Sequence, residues 1–296
     1  FVFGFFYSRI FEIILNNIPK KTSFLDKLFV FSFTFIIPIT AVQFVRSSTA
    51  SVLFVYFILK YFFEGNSKKY LVFACLGSVF IHFSFILPAL VLILFLFVSK
   101  KMDIYIIAFI LTSFFTFFEF SALETIIRAN LPLALESKQV YLNSDYAESE
   151  LITANKANWY IQLKPYSLKI ATIFLILYTR SLLMKNKLLY EKYKSPLIFG
   201  LFLGSIVNVL SLIPSLSRFL TLSNSIMWVV FIFFHTNNKK YKANWFTSST
   251  LTLFFVFQSI ISFRYIADLA PIEFLVGNPL SILIGVTDIP IIDYLK

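Results

Sequence analysis

Long apolar runs dominate the chain, and short polar or basic segments separate them. A helix that crosses the hydrocarbon layer of a membrane needs about 20 mostly apolar residues. Outer-membrane barrel strands instead alternate polar and apolar positions, and these runs do not alternate. The pattern therefore predicts membrane-spanning helices over residues 28–45, 47–63, 104–120, 168–184, 197–213, 219–235 and 247–263.

Two further apolar stretches are harder to assign. Residues 1–18 carry Arg9 and Glu12, so they predict either part of a span or a helix lying at the membrane interface. Residues 70–98 are long for one crossing, because a straight helix of that length would measure roughly 44 Å at 1.5 Å per residue. The stretch contains Gly77 and Pro88, and such residues break helices. We expect two short helices that form a hairpin, with the turn near residues 82–84.

The distribution of lysine and arginine predicts the orientation. Basic clusters occur at residues 20–27, 68–69, 100–101, 180–194 and 239–242. Cytoplasmic loops of membrane proteins carry an excess of these residues. A hairpin over 70–98 places all of the clusters on one side, whereas a single crossing would divide them. We therefore expect about ten membrane segments, with the loop 121–165 and the tail 264–296 outside the cytoplasm.

Composition supports a membrane protein and excludes several other classes. Hydrophobic residues make up 58% of the 296 residues and charged residues 14%, against about 45–50% and 25% in soluble domains. This excludes a cytosolic enzyme, a disulfide-stabilised secreted domain and a disordered chain. The net charge of +11 lies in clusters between apolar runs, which indicates contact with anionic lipid and not with nucleic acid.

The predicted fold class is thus an all-α, polytopic transmembrane helical bundle. Residues 1–296 form a single integral-membrane domain in this interpretation. Cys75 is the only cysteine, so no disulfide can form within the chain. The sequence begins with Phe1 and not with methionine, and we expect that the natural N-terminus is missing from it.

Three polar residues stand in turns that the predicted topology places at one membrane face: Arg46, His82 and Arg218. Taken singly, each has a structural explanation, because arginine reaches toward lipid phosphate and a buried histidine bonds to a carbonyl. Taken together, two guanidinium groups and an imidazole suit a phosphate or pyrophosphate. We predict that the three form one anion-binding site.

The loop 121–165 carries Glu124, Arg128, Trp159 and Tyr160, which are side chains that suit contacts with sugar rings. An amphipathic helix at the interface would explain the aromatic residues equally well. The chain has no phosphate-binding loop, no HExxH and no DxD motif. We therefore predict neither a metal nor a nucleotide cofactor.

A GxxxG motif at Gly200 and Gly204 predicts close helix packing, either within the chain or between chains.

Two segments resemble the EpsG family of bacterial polysaccharide-biosynthesis membrane proteins. The first is Val45-Arg46-Ser47-Ser48-Thr49-Ala50, and the second is Gly77-Ser78-Val79-Phe80-Ile81-His82-Phe83-Ser84. In that family an arginine begins one span. A short motif that contains a histidine and a serine or threonine follows it, at a spacing similar to that between the two segments here. Ser217-Arg218 is similar to a later element. Ser47 stands where the family usually has glutamine, and the family's upstream Arg/Gly/Asp-Tyr element is missing.

The resemblance implies a polymerase of repeat units, similar to Wzy-type enzymes of the bacterial inner membrane. The donor would be an undecaprenyl-pyrophosphate-linked oligosaccharide and the acceptor a second lipid-linked glycan. Other polysaccharide-assembly proteins are expected partners besides the lipid bilayer. Arg46, His82 and Arg218 match the polar positions of the family, and Ser47 would contact substrate.

The roles of these residues follow from their chemistry. Arg46 and Arg218 would bind the pyrophosphate leaving group and stabilise its developing charge. His82 would either join this clamp or deprotonate the acceptor hydroxyl, for which a carboxylate such as Glu124 is the rival base.

Two other functions remain open from the sequence. A membrane acyltransferase that modifies a glycan would use His82 as its base. A flippase for lipid-linked sugars would place charged residues through the middle of the bundle.

Overall fold

The structure, a computed structural model, describes residues 1–38, 45–64, 69–98, 101–114, 159–211, 214–237 and 245–269. All regular structure in these ranges is helical, with no β-strand. The α-helices in chain order are α1 Val2–Asn16, α2 Phe24–Ile36, α3 Val45–Phe63, α4 Lys69–Leu76, α5 Ser78–Ile81, α6 Ile86–Phe97, α7 Met102–Thr112, α8 Trp159–Leu183, α9 Lys187–Leu210, α10 Leu220–Asn237 and α11 Trp245–Leu269. The first 3-10 turn is Phe83–Phe85 and the second 3-10 turn is Pro214–Phe219.

Three helices of the described chain are long and apolar enough to span a membrane. They contain Tyr166–Leu183, Lys187–Leu210 and Leu216–Asn237, and they coincide with three of the predicted runs. Shorter apolar helices lie at Tyr70–Ile81, Phe83–Phe97, Met102–Thr112 and Thr252–Arg264. The prediction of apolar, membrane-type helices is therefore confirmed at these three positions.

Some helix boundaries differ from those expected. Helix α8 begins at Trp159, inside the segment predicted as the loop 121–165, and α11 continues to Leu269, inside the predicted tail. The backbone hydrogen bonds of a helix do not require apolar side chains, so a helix can extend past the apolar run that reveals it. The predicted spans 28–45 and 104–120 continue into residues outside the described ranges.

The segment 70–98 is broken into short pieces. Helix α4 ends at Leu76, α5 ends at Ile81, and α6 starts at Ile86 and lies against α4, so the chain reverses between them. Pro88 stands in the first turn of α6. Its ring would clash with the carbonyl of the residue four positions earlier in a continuous helix, which accounts for the start of α6 at this point.

Helices α9 and α10 pack closely against each other. The Ser223 hydroxyl of α10 donates a 2.8 Å hydrogen bond to the Gly200 carbonyl. A Cβ atom on Gly200 would lie 2.7 Å from Cγ of Met227, and one on Gly204 would lie 2.6 Å from a ring carbon of Phe109 in α7. The GxxxG motif thus packs within the chain.

Hydrogen bonds and an ion pair between side chains and neighbouring segments connect other helices. The Tyr7 hydroxyl of α1 donates to the Ile37 carbonyl at 2.9 Å, and the Trp228 indole of α10 donates to the Thr172 hydroxyl of α8 at 3.3 Å. Arg180 of α8 and Asp103 of α7 form a 2.7 Å ion pair.

Substitution of the motif tests the contact between α7, α9 and α10. We expect Gly204→Ala to lower the free energy of unfolding by about 1–3 kcal/mol, because the added methyl group overpacks a filled space. Gly4→Ala is the matched control, since nothing lies within 4 Å of a Cβ atom there. That change should be neutral or should stabilise α1 by up to about 1 kcal/mol. Thermal unfolding of the purified protein in detergent measures both, and equal stability of the two variants would contradict the packing described.

Candidate functional site

His82 lies at the break between α5 and the first 3-10 turn. Its backbone is extended, with φ −147° and ψ 111°, and its N–H donates to the Ser78 carbonyl at 3.0 Å. The His82 carbonyl accepts a 2.9 Å hydrogen bond from the N–H of Phe85. The imidazole is partly buried. Local backbone bonds therefore fix the position from which the side chain projects.

Ser84 connects His82 to Arg218. The Ser84 hydroxyl lies 2.6 Å from Nδ1 of His82, and the Ser84 backbone N–H donates to the same nitrogen at 3.3 Å. Nη2 of Arg218 donates to the Ser84 hydroxyl oxygen at 2.9 Å. These bonds form a continuous chain from guanidinium to imidazole, and they join residues that are 134 positions apart. The structure thus brings His82 and Arg218 together.

Aromatic packing holds the two 3-10 turns against each other. The buried ring of Phe85 lies 5.2 Å from the ring of Phe219 in an edge-to-face arrangement and 6.4 Å from that of Phe54 in α3. The Arg218 guanidinium lies over the Phe219 ring, 5.3 Å from its centroid. Edge-to-face pairs and cation–π contacts both favour such geometries. Phe85 and Phe219 therefore position the residues that carry the polar chain.

Arg46 lies in the first turn of α3 and is exposed. Helices α3 and α4 are neighbours joined by a short connection, and the Cys75 thiol lies 3.8 Å from the Phe54 carbonyl. From that contact α3 runs back about two turns to Arg46, and α4 with α5 runs forward about two turns to His82. Both residues thus lie at the same end of the bundle. The structure does not join Arg46 to the hydrogen bonds around Ser84.

The predicted sugar-binding residues are described only in part. Ser47 follows Arg46 in α3, and its carbonyl accepts a 2.9 Å hydrogen bond from the Ser51 hydroxyl. Trp159 is the first residue of α8 and is exposed. Glu124 and Arg128 lie outside the described residues, as does the side chain of Tyr160. The sugar-binding role of this group stays a prediction.

Two residues that make polar contacts between separate helices, Ser84 and Lys169, were not predicted as site residues from the sequence. Ser84 was part of the motif that resembles the EpsG family, but only its contacts reveal it as the link between His82 and Arg218. Lys169 stands near the middle of α8, and its ammonium donates to the Ser113 carbonyl at 2.7 Å. A lysine inside an apolar run is a signal in the sequence that an intramembrane polar site exists.

Lys169 belongs to a polar cluster between α7, α8 and α9. The amide nitrogen of Asn208 lies 3.2 Å from the Ser113 hydroxyl and 3.4 Å from the Thr112 hydroxyl. Ser113 follows the last residue of α7, where backbone carbonyls lack helical partners and a cation is favourable. Lys169 therefore caps the end of a short helix.

An open groove of about 450 Å³ lies beside this cluster, between α7 and α9. Thr112 borders both the groove and the cluster, and most of the other lining side chains are apolar, including Ile104, Phe202 and Leu210. Such walls suit a hydrocarbon chain.

The second histidine is remote from the first. His235 lies at the end of α10 that is distant from Arg218, and its Nε2 is 3.7 Å from a carboxylate oxygen of Asp26. Within the described ranges, no group of three histidine, cysteine, aspartate or glutamate side chains is placed to hold a metal ion.

The side chains around Ser84 are of the kinds that pair with anions. A guanidinium, a hydroxyl and an imidazole are connected there, and a second guanidinium, that of Arg46, lies at the same end of the bundle. Guanidinium groups pair with phosphate oxygens through parallel hydrogen bonds.

Comparisons of the chain with models of protein families, with curated proteins and with solved structures find no match.

Proposed function

We propose that this protein is a polysaccharide polymerase of the bacterial cytoplasmic membrane, similar to the EpsG family. It would extend exopolysaccharide, O-antigen or capsule chains at the outer leaflet. The observation that carries the proposal is the hydrogen-bonded chain from Arg218 through Ser84 to His82. Both ends of this chain fall in the segments that resemble the family.

The reaction transfers a glycan between two lipid-linked substrates. The bond between the anomeric carbon and the pyrophosphate oxygen of the undecaprenyl donor breaks, and a bond from that carbon to an acceptor hydroxyl oxygen forms. The acceptor hydroxyl loses its proton to a base, and undecaprenyl pyrophosphate leaves with the bonding electron pair. Groups that bind the leaving pyrophosphate more tightly as its charge develops lower the barrier.

Arg218 has the geometry expected of a residue that binds the leaving group. The N–H donors of a guanidinium form a planar fork that suits phosphate oxygens, and Nη2 of Arg218 also bonds to Ser84. The Phe219 ring beneath it restricts the plane of the fork. Arg46 would approach the same pyrophosphate from α3, where its exposed side chain lies at the end of the bundle that carries His82.

The proposal includes about ten membrane segments, with the basic loops in the cytoplasm and His82 facing the outside. Helix α9 begins at Lys187, and the second 3-10 turn, which contains Arg218, follows its C-terminal end. Lys187 and Arg218 therefore lie near opposite ends of α9. This direction agrees with a cytoplasmic Lys187 and an outer Arg218.

Cysteine labelling tests this orientation. We expect single cysteines at positions 68, 100, 187 and 240 to react only when the cytoplasmic side is opened, and a cysteine at position 83 to react from outside. Cys75 is the only native cysteine and is buried, so Cys75→Ser supplies the background and its control. Labelling of positions 68 and 100 from opposite sides would show that residues 70–98 cross the membrane once.

Replacement of the arginines by lysine tests the pyrophosphate clamp. Lysine keeps the charge and loses the planar fork. We expect Arg46→Lys and Arg218→Lys each to reduce polymerisation about tenfold or more, because a lost charge-assisted hydrogen bond costs about 1.5–3 kcal/mol. The measurement is the rate of chain extension in membranes that contain equal amounts of each variant.

Arg180→Lys is the matched control, since Arg180 pairs with Asp103 at the opposite end of the bundle. It should extend chains at the wild-type rate. If both lysine variants at the proposed site also reached that rate, Arg46 and Arg218 would be interfacial arginines and the clamp would be refuted.

Lys169 gives a specific reason to retain the flippase as a second candidate. A flippase needs polar groups along the path of the headgroup, and Lys169 with Asn208 forms such a group inside the bundle. The leaflet in which single lipid-linked repeat units accumulate in a deletion strain distinguishes the two functions. Loss of a polymerase leaves single repeat units at the outer leaflet, whereas loss of a flippase leaves them at the inner leaflet.

A further inference from the structure

We propose that Ser84 is a positioning residue that holds His82 as a neutral imidazole with its proton on Nε2. His82 then acts as a hydrogen-bond donor to the leaving pyrophosphate and not as the base. The identity of the ligand rests on the function proposed above, whereas the protonation of the ring rests on the contacts around Ser84 alone.

The backbone N–H of Ser84 decides which ring nitrogen carries the proton. A backbone N–H can only donate, and this one points to Nδ1 of His82 at 3.3 Å. Nδ1 must therefore offer its lone pair, and a proton on Nδ1 would face another proton. In a neutral imidazole with an accepting Nδ1, the proton is on Nε2.

Arg218 fixes the direction of the second bond to the same nitrogen. Its Nη2–H donates to the Ser84 hydroxyl oxygen at 2.9 Å. A guanidinium cannot accept, so the hydroxyl proton is directed toward Nδ1, 2.6 Å away. Every bond in the chain then runs from Arg218 to Ser84 to His82. Hydrogen bonds aligned in this way strengthen one another.

The packing gives the ring little freedom to leave this arrangement. His82 precedes the first 3-10 turn, and its side chain accepts from the N–H of the turn residue Ser84. The rings of His82 and Phe85 lie 6.2 Å apart, and Phe85 is buried. The side chain is thus held by the turn that it caps.

This assignment decides between the two roles that the sequence left open. A base needs a lone pair, but Nε2 carries the proton and Nδ1 accepts from two donors. An Nε2–H donor can instead stabilise charge on a pyrophosphate oxygen as the glycosidic bond breaks. The acceptor proton passes to a separate carboxylate base.

Three substitutions of His82 test the donor role. The amide N–H of glutamine reaches the region of Nε2, whereas that of asparagine reaches the region of Nδ1. We expect His82→Gln to retain at least about a tenth of the wild-type rate of chain extension. His82→Asn and His82→Ala should both lose about a hundredfold or more, because removing a donor to developing charge costs about that factor. Equal loss in all three variants would overturn the donor role.

Substitution of Ser84 tests the positioning role. Ser84→Ala removes one of the two donors to Nδ1 and should lower the rate about threefold to tenfold, and Ser84→Thr should restore it. Ser51→Ala is the matched control, because the Ser51 hydroxyl bonds to the Ser47 carbonyl of its own helix. A wild-type rate for Ser84→Ala would overturn the positioning role.

Nitrogen NMR measures the protonation of His82 without any assay of activity. The chain has 2 histidines, so protein with 15N-labelled histidine in lipid nanodiscs gives two sets of ring signals, and those missing from His82→Gln belong to His82. We expect a protonated Nε2 and an unprotonated Nδ1, with a mixture of both tautomers in Ser84→Ala. A protonated Nδ1 in the wild type would overturn the inference. A wild-type protein that shows this tautomer but extends no chains would refute the proposed function alone.

Discussion

The close approach of α9 and α10 at Gly200 is the contact on which the arrangement of the site depends. Lipid gives helices little hydrophobic reason to associate, so small residues and hydrogen bonds between helices have to hold them together. Gly200 accepts the Ser223 hydroxyl bond across this contact, and Gly204 admits the Phe109 ring of α7. The connection between the same two helices contains the second 3-10 turn. The packing at the glycines therefore decides where Arg218 lies.

The break between α5 and α6 serves both the fold and the site. A helix that begins in apolar surroundings leaves backbone N–H groups that must find acceptors. The N–H of Phe85 bonds to the His82 carbonyl, and the N–H of Ser84 bonds to the His82 ring. The hydrogen bonds that satisfy the backbone at this break thus also orient the imidazole. The polar imidazole can project from an apolar segment here because these backbone N–H groups have acceptors.

Polar contacts at both ends of α7 align it with α8. Arg180 pairs with Asp103 at one end, and Lys169 bonds to the Ser113 carbonyl at the other. A side chain that caps the end of a helix compensates both the unpaired carbonyls and the negative end of the helix dipole. Burial of an ammonium group is costly in an apolar setting, so this contact restricts the two helices to one register.

The sequence by itself determined the helical character of the chain, the break over residues 70–98 and the close packing at Gly200 and Gly204. These features follow from local causes, because apolar runs, proline and glycine act on the backbone next to them. Only the tertiary structure decided that Ser84 joins His82 to Arg218, that Arg46 stays outside their hydrogen bonds, and that Lys169 caps α7. Such contacts join residues far apart in the chain, and they depend on how helix faces rotate and pack, which hydrophobic pattern alone does not specify.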